Sequence, residues 1–332
     1  MSKFMSVFSN YLEHILEEKS CTHESLNLTE PKLSLREVAF GIVEIIPENS
    51  SLAPAVLSCG VHGNETAPIE IMNDLLGAIS NQEINVARPL LFIFAHVKAM
   101  KEHKRFIDFN MNRLFCGNHL NYPKAQESKR ARELEEIMAK FYAPFSQRPW
   151  HLDLHTAIRP SHVTRFAVFP HQENGVPTKE EMNLLANLDI DAILLANGKA
   201  STFSAHSCEN FGAYAYTLEL GKVYPFGKNP HEKFKAVKKG LTQFIESDSI
   251  LEKTSEKLPI QYKVEKELIK DSENYLLHLE EDYANFTPIP KGTLLETLKS
   301  GPYKTKEECA VVFPNNDVPI GQRTGLLVKK QS

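Results

Sequence analysis

The sequence contains no cysteine pair spaced as CxxC and no apolar run long enough to cross a bilayer. Its five cysteines are scattered along the chain: Cys21, Cys59, Cys116, Cys208 and Cys309. Neither a disulfide framework nor a thiolate zinc site is therefore expected, and such usage is typical of a reducing compartment. The longest clean apolar run is Leu90–Ala95, which is far too short for a transmembrane helix. Since the first residues show no signal-peptide pattern, we expect a cytoplasmic protein.

The chain also lacks an excess of positive charge. Its formal net charge is −4, which gives no general attraction for nucleic acid or for an anionic membrane surface. Arginine is scarce, with ten in the chain, yet seven of these fall between residues 105 and 165. An anionic ligand would therefore have to be held by local cations, and this region supplies most of the guanidinium groups.

Strand and helix patterns alternate up to about residue 248, which favours a mixed, mainly parallel sheet covered on both faces by helices. The predicted strands are residues 36–48, Ala53–Cys59, Pro89–Ala95, Arg148–Thr156, Phe166–Phe169, Asp191–Ala196 and Ala213–Leu220. The predicted helices are an N-terminal one, with Phe4, Val7, Phe8, Leu12, Ile15 and Leu16 on one face, a helix capped by Thr66, and Ser128–Phe145, Lys179–Leu188 and His231–Ser247. The segment NGKASTFSAHSCEN is interpreted as a loop.

The pattern changes after about Ser249, where short strands are separated by Pro, Gly and Asn turns. These predicted strands are Pro259–Glu267, Tyr275–Leu279, Pro290–Leu298 and Lys304–Val312. We therefore predict an α/β domain over residues 1–250 and a smaller β-rich domain over residues 251–332. The sequence does not indicate an oligomeric state.

One of four His-x-x-Glu pairs in the chain has a distinctive setting. His62 and Glu65 lie where a buried strand opens into a loop, and Gly60 and Gly63 allow unusual backbone angles on either side of the histidine. Imidazole nitrogen and carboxylate oxygen are good Zn²⁺ ligands, and two neighbouring ligands plus a distant one are a common catalytic arrangement. The alternative is an ordinary turn.

His155 and Glu219 also lie at the ends of apolar strands. In doubly wound sheets, ligands bind outside the carboxyl ends of the strands. His62, Glu65 and His155 would form a His₂Glu set for one Zn²⁺, with a coordination position left for water. Glu219 is then the candidate base that takes the water's proton. The alternative for His155 taken singly is a packed or hydrogen-bonded histidine.

Asp153 lies on the same strand face as His155. We predict that it accepts a hydrogen bond from a ligating histidine and fixes its tautomer; the alternative is a surface contact. Arg105, Arg113 and Arg159 fall in polar loops beside these motifs and could grip carboxylates bidentately, although each could also be an ordinary surface arginine. Two further arginines are expected to be solvated on a helix: Arg130 and Arg132.

Four segments carry a family resemblance: GVHGNETAPIE, KRFIDFNMNRLF, WHLDLHTAIRPS and TLELGKVYPFG. In this order they resemble the aspartoacylase branch of the zinc-carboxypeptidase-like hydrolases, and DLHTAIR is the form of its succinylglutamate desuccinylases. The resemblance continues into NFTPIPKGTLL and VVFPN and is weakest over the first 50 residues. It implies a zinc-peptidase-like α/β/α sandwich with a smaller C-terminal β domain.

The resemblance also implies roles for individual residues. One Zn²⁺ would be held at His62, Glu65 and His155, with Glu219 as the catalytic glutamate. Arg105 matches the arginine that stabilises the oxyanion, and Asn112 with Arg113 matches the pair that grips a substrate carboxylate. Arg159 is a further candidate for orienting the substrate. Asn110 departs from the Asp that is often found at its position.

The implied reaction is hydrolysis of N-succinyl-L-glutamate to succinate and L-glutamate, the last step of arginine catabolism by the succinyltransferase pathway. The substrate is a small anionic N-acyl amino acid. The first alternative is an aspartoacylase-like deacylase of another N-acyl amino acid. A peptide carboxypeptidase is less favoured, because a closed site for small anions leaves little room for a chain. The alternative from another class is a non-catalytic ligand-binding protein on the same fold.

Overall fold

The computed structural model describes residues 7–19, 25–29, 32–173, 175–253, 255, 257–280 and 282–331. The strands before residue 250 are β1 (Ser25–Thr29), β2 (Lys32–Ala39), β3 (Ile42–Pro47), β4 (Ala55–Cys59), β5 (Leu90–Phe94), β6 (Trp150–Ala157), β7 (Phe166–Phe169), β8 (Ala192–Leu195) and β9 (Tyr214–Lys222). The helices are α1 (Tyr11–Leu16), α2 (Thr66–Ser80), α3 (Val97–Lys101), α4 (Gln126–Tyr142), α5 (Lys179–Asn187), α6 (Phe203–Phe211), α7 (His231–Glu246) and α8 (Ser249–Glu252). The tail contributes β10 (Ile260–Ile269), β11 (Leu276–Leu277), β12 (Pro288–Ile289), β13 (Leu294–Leu298), β14 (Gly301–Lys304), β15 (Cys309–Val312) and β16 (Arg323–Lys330).

Thirteen of the described strands form one sheet, in the order β1-β2-β3-β5-β4-β6-β9-β7-β8-β10-β16-β15-β12. The central strands β5, β4, β6 and β9 pair in parallel, whereas β3 runs antiparallel to β5 and β7 antiparallel to β9. Together with the β-rich tail, this confirms the predicted fold class. Among the described helices, none has the length and apolar character needed to span a membrane.

Helices cover both faces of the central strands. Leu57 and Leu152 belong to the core formed with α2 and α7, while Val56 and Leu91 belong to a second core formed with α4 and α6. Every residue of β4, β5 and β6 is buried, because helices cover both faces of these strands. The polar residues of β6 therefore lie inside the protein and need partners there.

Three predictions about local structure are wrong. Residues 36–48 are two antiparallel strands, β2 and β3, because Gly41 turns the chain at φ +76°. Thr66 does not cap α2: it is the helix's first residue, and its hydroxyl donates to the Tyr224 carbonyl at 2.6 Å. The segment taken as a loop contains α6, which Thr202 caps and which Gly212 ends in the left-handed region. The sequence pattern also missed β16.

Arg130 was predicted to be solvated, and this prediction is wrong. Its guanidinium donates to the carbonyls of Ala95 and Phe40, each at 2.9 Å, so it satisfies backbone acceptors at the ends of strands. Arg132 is exposed, in agreement with the prediction. Phe8 and Ile15 of the N-terminal apolar face are buried, whereas Phe4 and Cys21 lie outside the described residues.

The tail joins the same sheet. Strand β10 pairs in parallel with β8 and antiparallel with β16, while β11, β13 and β14 form a separate three-stranded sheet. The segment after β6 also contacts the tail, because Asn285 donates to the Pro160 carbonyl and its own carbonyl accepts from His162. The division near residue 250 therefore stays a prediction.

Candidate metal centre

The four predicted strand-end groups lie together. His62 and Glu65 follow β4 directly, and His155 of β6 is paired in register with Glu219 of β9. Because β4, β6 and β9 are parallel neighbours, their carboxyl ends converge at one edge of the sheet. All four side chains are buried. The sheet topology thus accounts for the convergence of residues that are 157 positions apart in sequence.

Glu65 bridges the two histidines. Its Oε1 is 2.8 Å from His62 Nδ1, and its Oε2 is 2.9 Å from His155 Nδ1. One ligand atom from each of the three residues lies within 4.8 Å of the others, and no other group of this kind occurs in the part of the chain that the structure describes. Two imidazoles and a carboxylate with converging donor atoms fit the ligand set of a catalytic Zn²⁺ site.

The second nitrogen of each histidine has its own partner. His155 Nε2 donates to Asp153 Oδ2 at 2.9 Å, and His62 Nε2 donates to Asn110 Oδ1 at 3.0 Å. A hydrogen bond on Nε2 keeps a proton on that nitrogen, so Nδ1 is the nitrogen that can offer its lone pair to a metal ion when the ring is neutral. The Asp153 contact is the predicted one, while the Asn110 contact is one that sequence reasoning missed.

Mutual electrostatics set the protonation of this group. Burial would raise the pKa of Glu65, but the charges of His62 and His155 more than offset this and hold the pKa well below its usual range. Burial, followed by the charge of Arg105, lowers the pKa of His62 to about 4. For His155, Asp153 and Glu65 outweigh burial and raise the pKa well above its usual value. A cation at this position would take the place of the proton shared among these groups.

Glu219 differs from Glu65 in that neither histidine hydrogen-bonds its carboxylate, although the charges of His155 and Arg105 partly offset the effect of burial. Its Oε2 is buried and has no hydrogen-bond partner. Burial, followed by the negative charge of Glu65, raises the pKa of Glu219 to about 7. A buried carboxyl group with an unused oxygen beside converging metal donors is costly, and its raised pKa is suited to proton transfer near neutral pH.

The loop between α3 and α4 brings the predicted anion-binding residues to the same edge. Arg105 Nη1 donates to Glu65 Oε1 at 2.8 Å, and about one third of its side chain is exposed. The carboxylate of Glu127 holds this loop, because it accepts from the backbone N–H groups of Ile107, Asp108 and Phe109 at 2.8–3.2 Å. Glu127 had no signal in the sequence, since the predicted helix began one residue later, at Ser128, whereas α4 begins at Gln126.

Asn112 and Arg113 are neighbouring residues of the same loop. Asn112 Oδ1 accepts from the backbone N–H of Phe203 at 2.9 Å, so its amide nitrogen remains as the donor for a ligand. Arg113 is exposed, and its Nη1 donates to the Asn112 carbonyl at 2.8 Å. Although Arg113 reaches solvent, surrounding protein atoms, followed by the positive charges of Arg323 and Arg105, lower the pKa of its guanidinium group. An anion would relieve this repulsion between guanidinium groups.

Arg159 lies in a different environment. It lines a cavity of about 240 Å³ with tail residues, among them Leu277, Glu280 and Asn315. None of the described residues that line this cavity belongs to the metal group. The structure therefore brings Arg105, Asn112 and Arg113 into one loop beside the metal group, and it places Arg159 against the tail.

Two family models match this chain. Residues 52–245 match the family model described as the succinylglutamate desuccinylase/aspartoacylase catalytic domain, and residues 258–331 match that of the AstE/AspA barrel-sandwich hybrid domain. The chain belongs to the succinylglutamate desuccinylase/aspartoacylase family. The first of the two matches contains the whole metal group and Glu219, and the second begins just before β10.

The similarity to other members of this family extends over most of the chain. A succinylglutamate desuccinylase from Pseudoalteromonas atlantica is 40% identical over 87% of this chain and 84% of its own length. One from Pseudomonas putida is 36% identical over 97% of this chain and 98% of its own. The crystal structure of the succinylglutamate desuccinylase from Chromobacterium violaceum is 34% identical and superposes with a TM-score of 0.86 over 98% of both chains. Murine aminoacylase 3, at 17% identity and a TM-score of 0.58, shares the fold.

Proposed function

We propose that the protein is a zinc-dependent amidohydrolase that cleaves N-succinyl-L-glutamate to succinate and L-glutamate. The observation that carries this proposal is the convergence of His62, Glu65 and His155 beside Glu219, whose buried Oε2 has no hydrogen-bond partner. The names of the similar desuccinylases support the choice of substrate. The reaction would be the last step of arginine catabolism by the succinyltransferase pathway, in the cytoplasm.

His62 Nδ1, Glu65 and His155 Nδ1 would hold one Zn²⁺. When bound, the ion supplies Lewis-acid chemistry, since it lowers the pKa of a coordinated water and polarises a carbonyl oxygen. Asp153 and Asn110 keep the Nε2 atoms of the two histidines occupied, so that both Nδ1 lone pairs point inwards. Thr156 donates its backbone N–H to Glu65 Oε2 at 3.1 Å and fixes the carboxylate plane.

Glu219 carries the proton. Its unpartnered Oε2 accepts a proton from the attacking water, and the same oxygen then returns it to the nitrogen of the leaving glutamate. Without the metal the pKa of Glu219 is raised to about 7, and a cation held beside it would favour the ionised carboxylate that takes the proton from water. Arg105 donates from its guanidinium to the amide oxygen as negative charge develops there.

The substrate has three carboxylates, so the site must supply several cations or donors. Arg113 and the amide nitrogen of Asn112 are adjacent and can bind one carboxylate together. A guanidinium fork matches a carboxylate bidentately, and the repulsion that Arg113 experiences from Arg323 and Arg105 favours an anion at this place. Arg159 is the remaining candidate, at the cavity next to the tail.

The test is an amidase assay combined with metal analysis of the purified protein. We expect about one zinc per chain and hydrolysis of N-succinyl-L-glutamate in preference to N-acetyl-L-aspartate. The variant Glu219→Gln should retain zinc and lose at least ~10²-fold in kcat, whereas Glu232→Gln, an exposed carboxylate on α7, serves as its control. His62→Ala and His155→Ala should lose the metal.

Each alternative predicts a different outcome. Preference for N-acetyl-L-aspartate or another N-acyl amino acid would identify a related deacylase on the same site. Protein that binds the substrate without metal or turnover would identify a non-catalytic binding protein. Near-normal turnover of Glu219→Gln would remove Glu219 from its role as the base.

A further inference from the structure

A chain of hydrogen bonds extends from the metal group into the core, beyond the residues to which a role has been assigned above. Asp153, which holds His155, accepts a second hydrogen bond on Oδ1 from Ser58 Oγ at 2.6 Å. Ser58 Oγ is also 2.8 Å from His151 Nε2, and His151 Nδ1 is 2.6 Å from Ser207 Oγ. The chain thus links α6, β6 and β4 to a predicted metal ligand.

Solvent does not reach this series of hydrogen-bonded side chains. Ser58, His151, Asp153 and Ser207 have no exposed surface, and His155 is 2% exposed. A buried donor or acceptor that loses its partner carries the full desolvation cost. Each group is therefore restricted to the partner that the fold provides, and the chain has few alternative arrangements.

The hydrogen atoms along the chain have one consistent direction. Ser58 gives its single hydroxyl proton to Asp153, so its oxygen must accept the N–H of His151 Nε2. Burial lowers the pKa of His151 to about 4, so the ring is neutral near pH 7 and carries only one N–H. His151 Nδ1 is then an acceptor, and Ser207 donates to it at 2.6 Å in preference to the Phe203 carbonyl, which is 3.4 Å away.

The two predicted metal histidines differ in this support. Asn110, which holds His62, uses a neutral amide oxygen that is also bonded to its own neighbour's backbone, Asn112 N at 3.0 Å. Asp153 holds His155 through a carboxylate that is itself fixed by the buried chain. The longer series of buried hydrogen bonds therefore supports His155.

We propose that Ser58 and His151 are positioning residues for metal binding, because they fix Asp153 and thereby hold His155 with its Nδ1 directed at the metal position. The inference rests on the proposed metal centre. It assigns Ser58 and His151 no contact with substrate, and it gives α6 a function through Ser207.

The experiment measures zinc affinity of the full chain by competition with a chromophoric chelator. Direct partners of metal-ligating histidines typically contribute 10–100-fold to metal affinity, so we expect Ser58→Ala and His151→Leu to weaken zinc binding about tenfold. His151→Gln keeps an N–H donor close to the former Nε2 and should remain within about threefold of the parent protein. Ser204→Ala is the matched control. Ser204 is also a buried serine on α6, but its hydroxyl hydrogen-bonds Thr217 and takes no part in the series of hydrogen bonds from Ser207 to His155.

A spectroscopic measurement separates positioning from a general loss of stability. In the Co²⁺-substituted protein, the visible d–d absorption should change in Ser58→Ala and His151→Leu, and it should match the parent spectrum in Ser204→Ala and His151→Gln. Parent-like zinc affinity and spectra in both Ser58→Ala and His151→Leu would overturn the proposal. An equal loss of affinity in Ser204→Ala would do the same. Failure of the proposed function is a separate result, namely a protein that binds zinc and does not hydrolyse N-succinyl-L-glutamate.

Discussion

Glu219 should make the metal-free protein less stable than it would be with a neutral side chain at the same place. Its pKa is raised from 4.5 to about 7 by burial and by the charge of Glu65. Above pH 7 the group is ionised in both the folded and the unfolded chain, but the ionised form is disfavoured only in the folded chain. Below pH 4.5 both states are protonated and the cost disappears. Stability therefore falls as pH rises from 4.5 to about 7.

The magnitude follows from the two pKa values. The interval between 4.5 and about 7, at about 1.4 kcal/mol per pH unit, corresponds to about 3 kcal/mol of lost stability above pH 7. Glu219→Gln removes the titrating group and keeps a similar shape. We expect this variant to unfold with a free energy larger by up to about 3 kcal/mol at pH 8. At pH 5 the difference in unfolding free energy between Glu219→Gln and the parent protein should be smaller by about 2 kcal/mol.

The measurement is urea denaturation of metal-free parent protein, Glu219→Gln and the exposed control Glu232→Gln at both pH values. A Glu219→Gln variant no more stable than the parent at pH 8 would refute the assignment of a raised pKa to this buried carboxyl. So would an advantage of the same size at pH 5 and pH 8. The expected result joins a loss of activity to a gain of stability in one substitution, as is common for groups that serve catalysis.

Two further substitutions test how the fold builds the site. Glu127→Gln should lower the unfolding free energy by about 2 kcal/mol, because a neutral amide replaces a carboxylate that accepts three backbone N–H groups. The kcat/KM of this variant should fall while its metal content stays constant. An unchanged kcat/KM would contradict the role of Glu127 in holding the loop that carries Arg105. Gly63→Ala should destabilise by about 1–3 kcal/mol, because an added Cβ would lie 2.2 Å from the Ala99 carbonyl carbon. Gly198→Ala, where a Cβ would meet nothing within 4 Å, is its control in the same denaturation series, and equal effects of the two would contradict the reasoning.

The placement of the metal group was predictable from sequence for a physical reason. His62, Glu65, His155 and Glu219 are polar residues at the ends of apolar strands, and parallel strands bring their carboxyl ends to one edge. Asp153 was predictable as well, because alternation along a strand sets its face. The roles of these residues remain predictions until the proposed assays are made.

Other contacts had no comparable signal. Asn110 and Glu127 act from a loop and a helix start, where no periodicity relates a residue to its partner. Helix α6 has only nine residues in a Ser-rich segment, so its capping by Thr202 was outweighed by its loop-like composition. Arg130 was expected to be solvated because helical spacing cannot show that its side chain reaches the free carbonyls of Ala95 and Phe40.

The parallel pairing of β10 with β8 has a consequence for association between chains. Strand β8 is the apolar segment AILL, and its neighbour on the other side is β7. Without β10, β8 would be an edge strand with unpaired backbone groups and apolar side chains, which is a template for pairing with another chain. Residues Ile260–Lys263 occupy that edge in register with Ala192–Leu195. With β10 in place, β8 has no free edge at which another chain could pair.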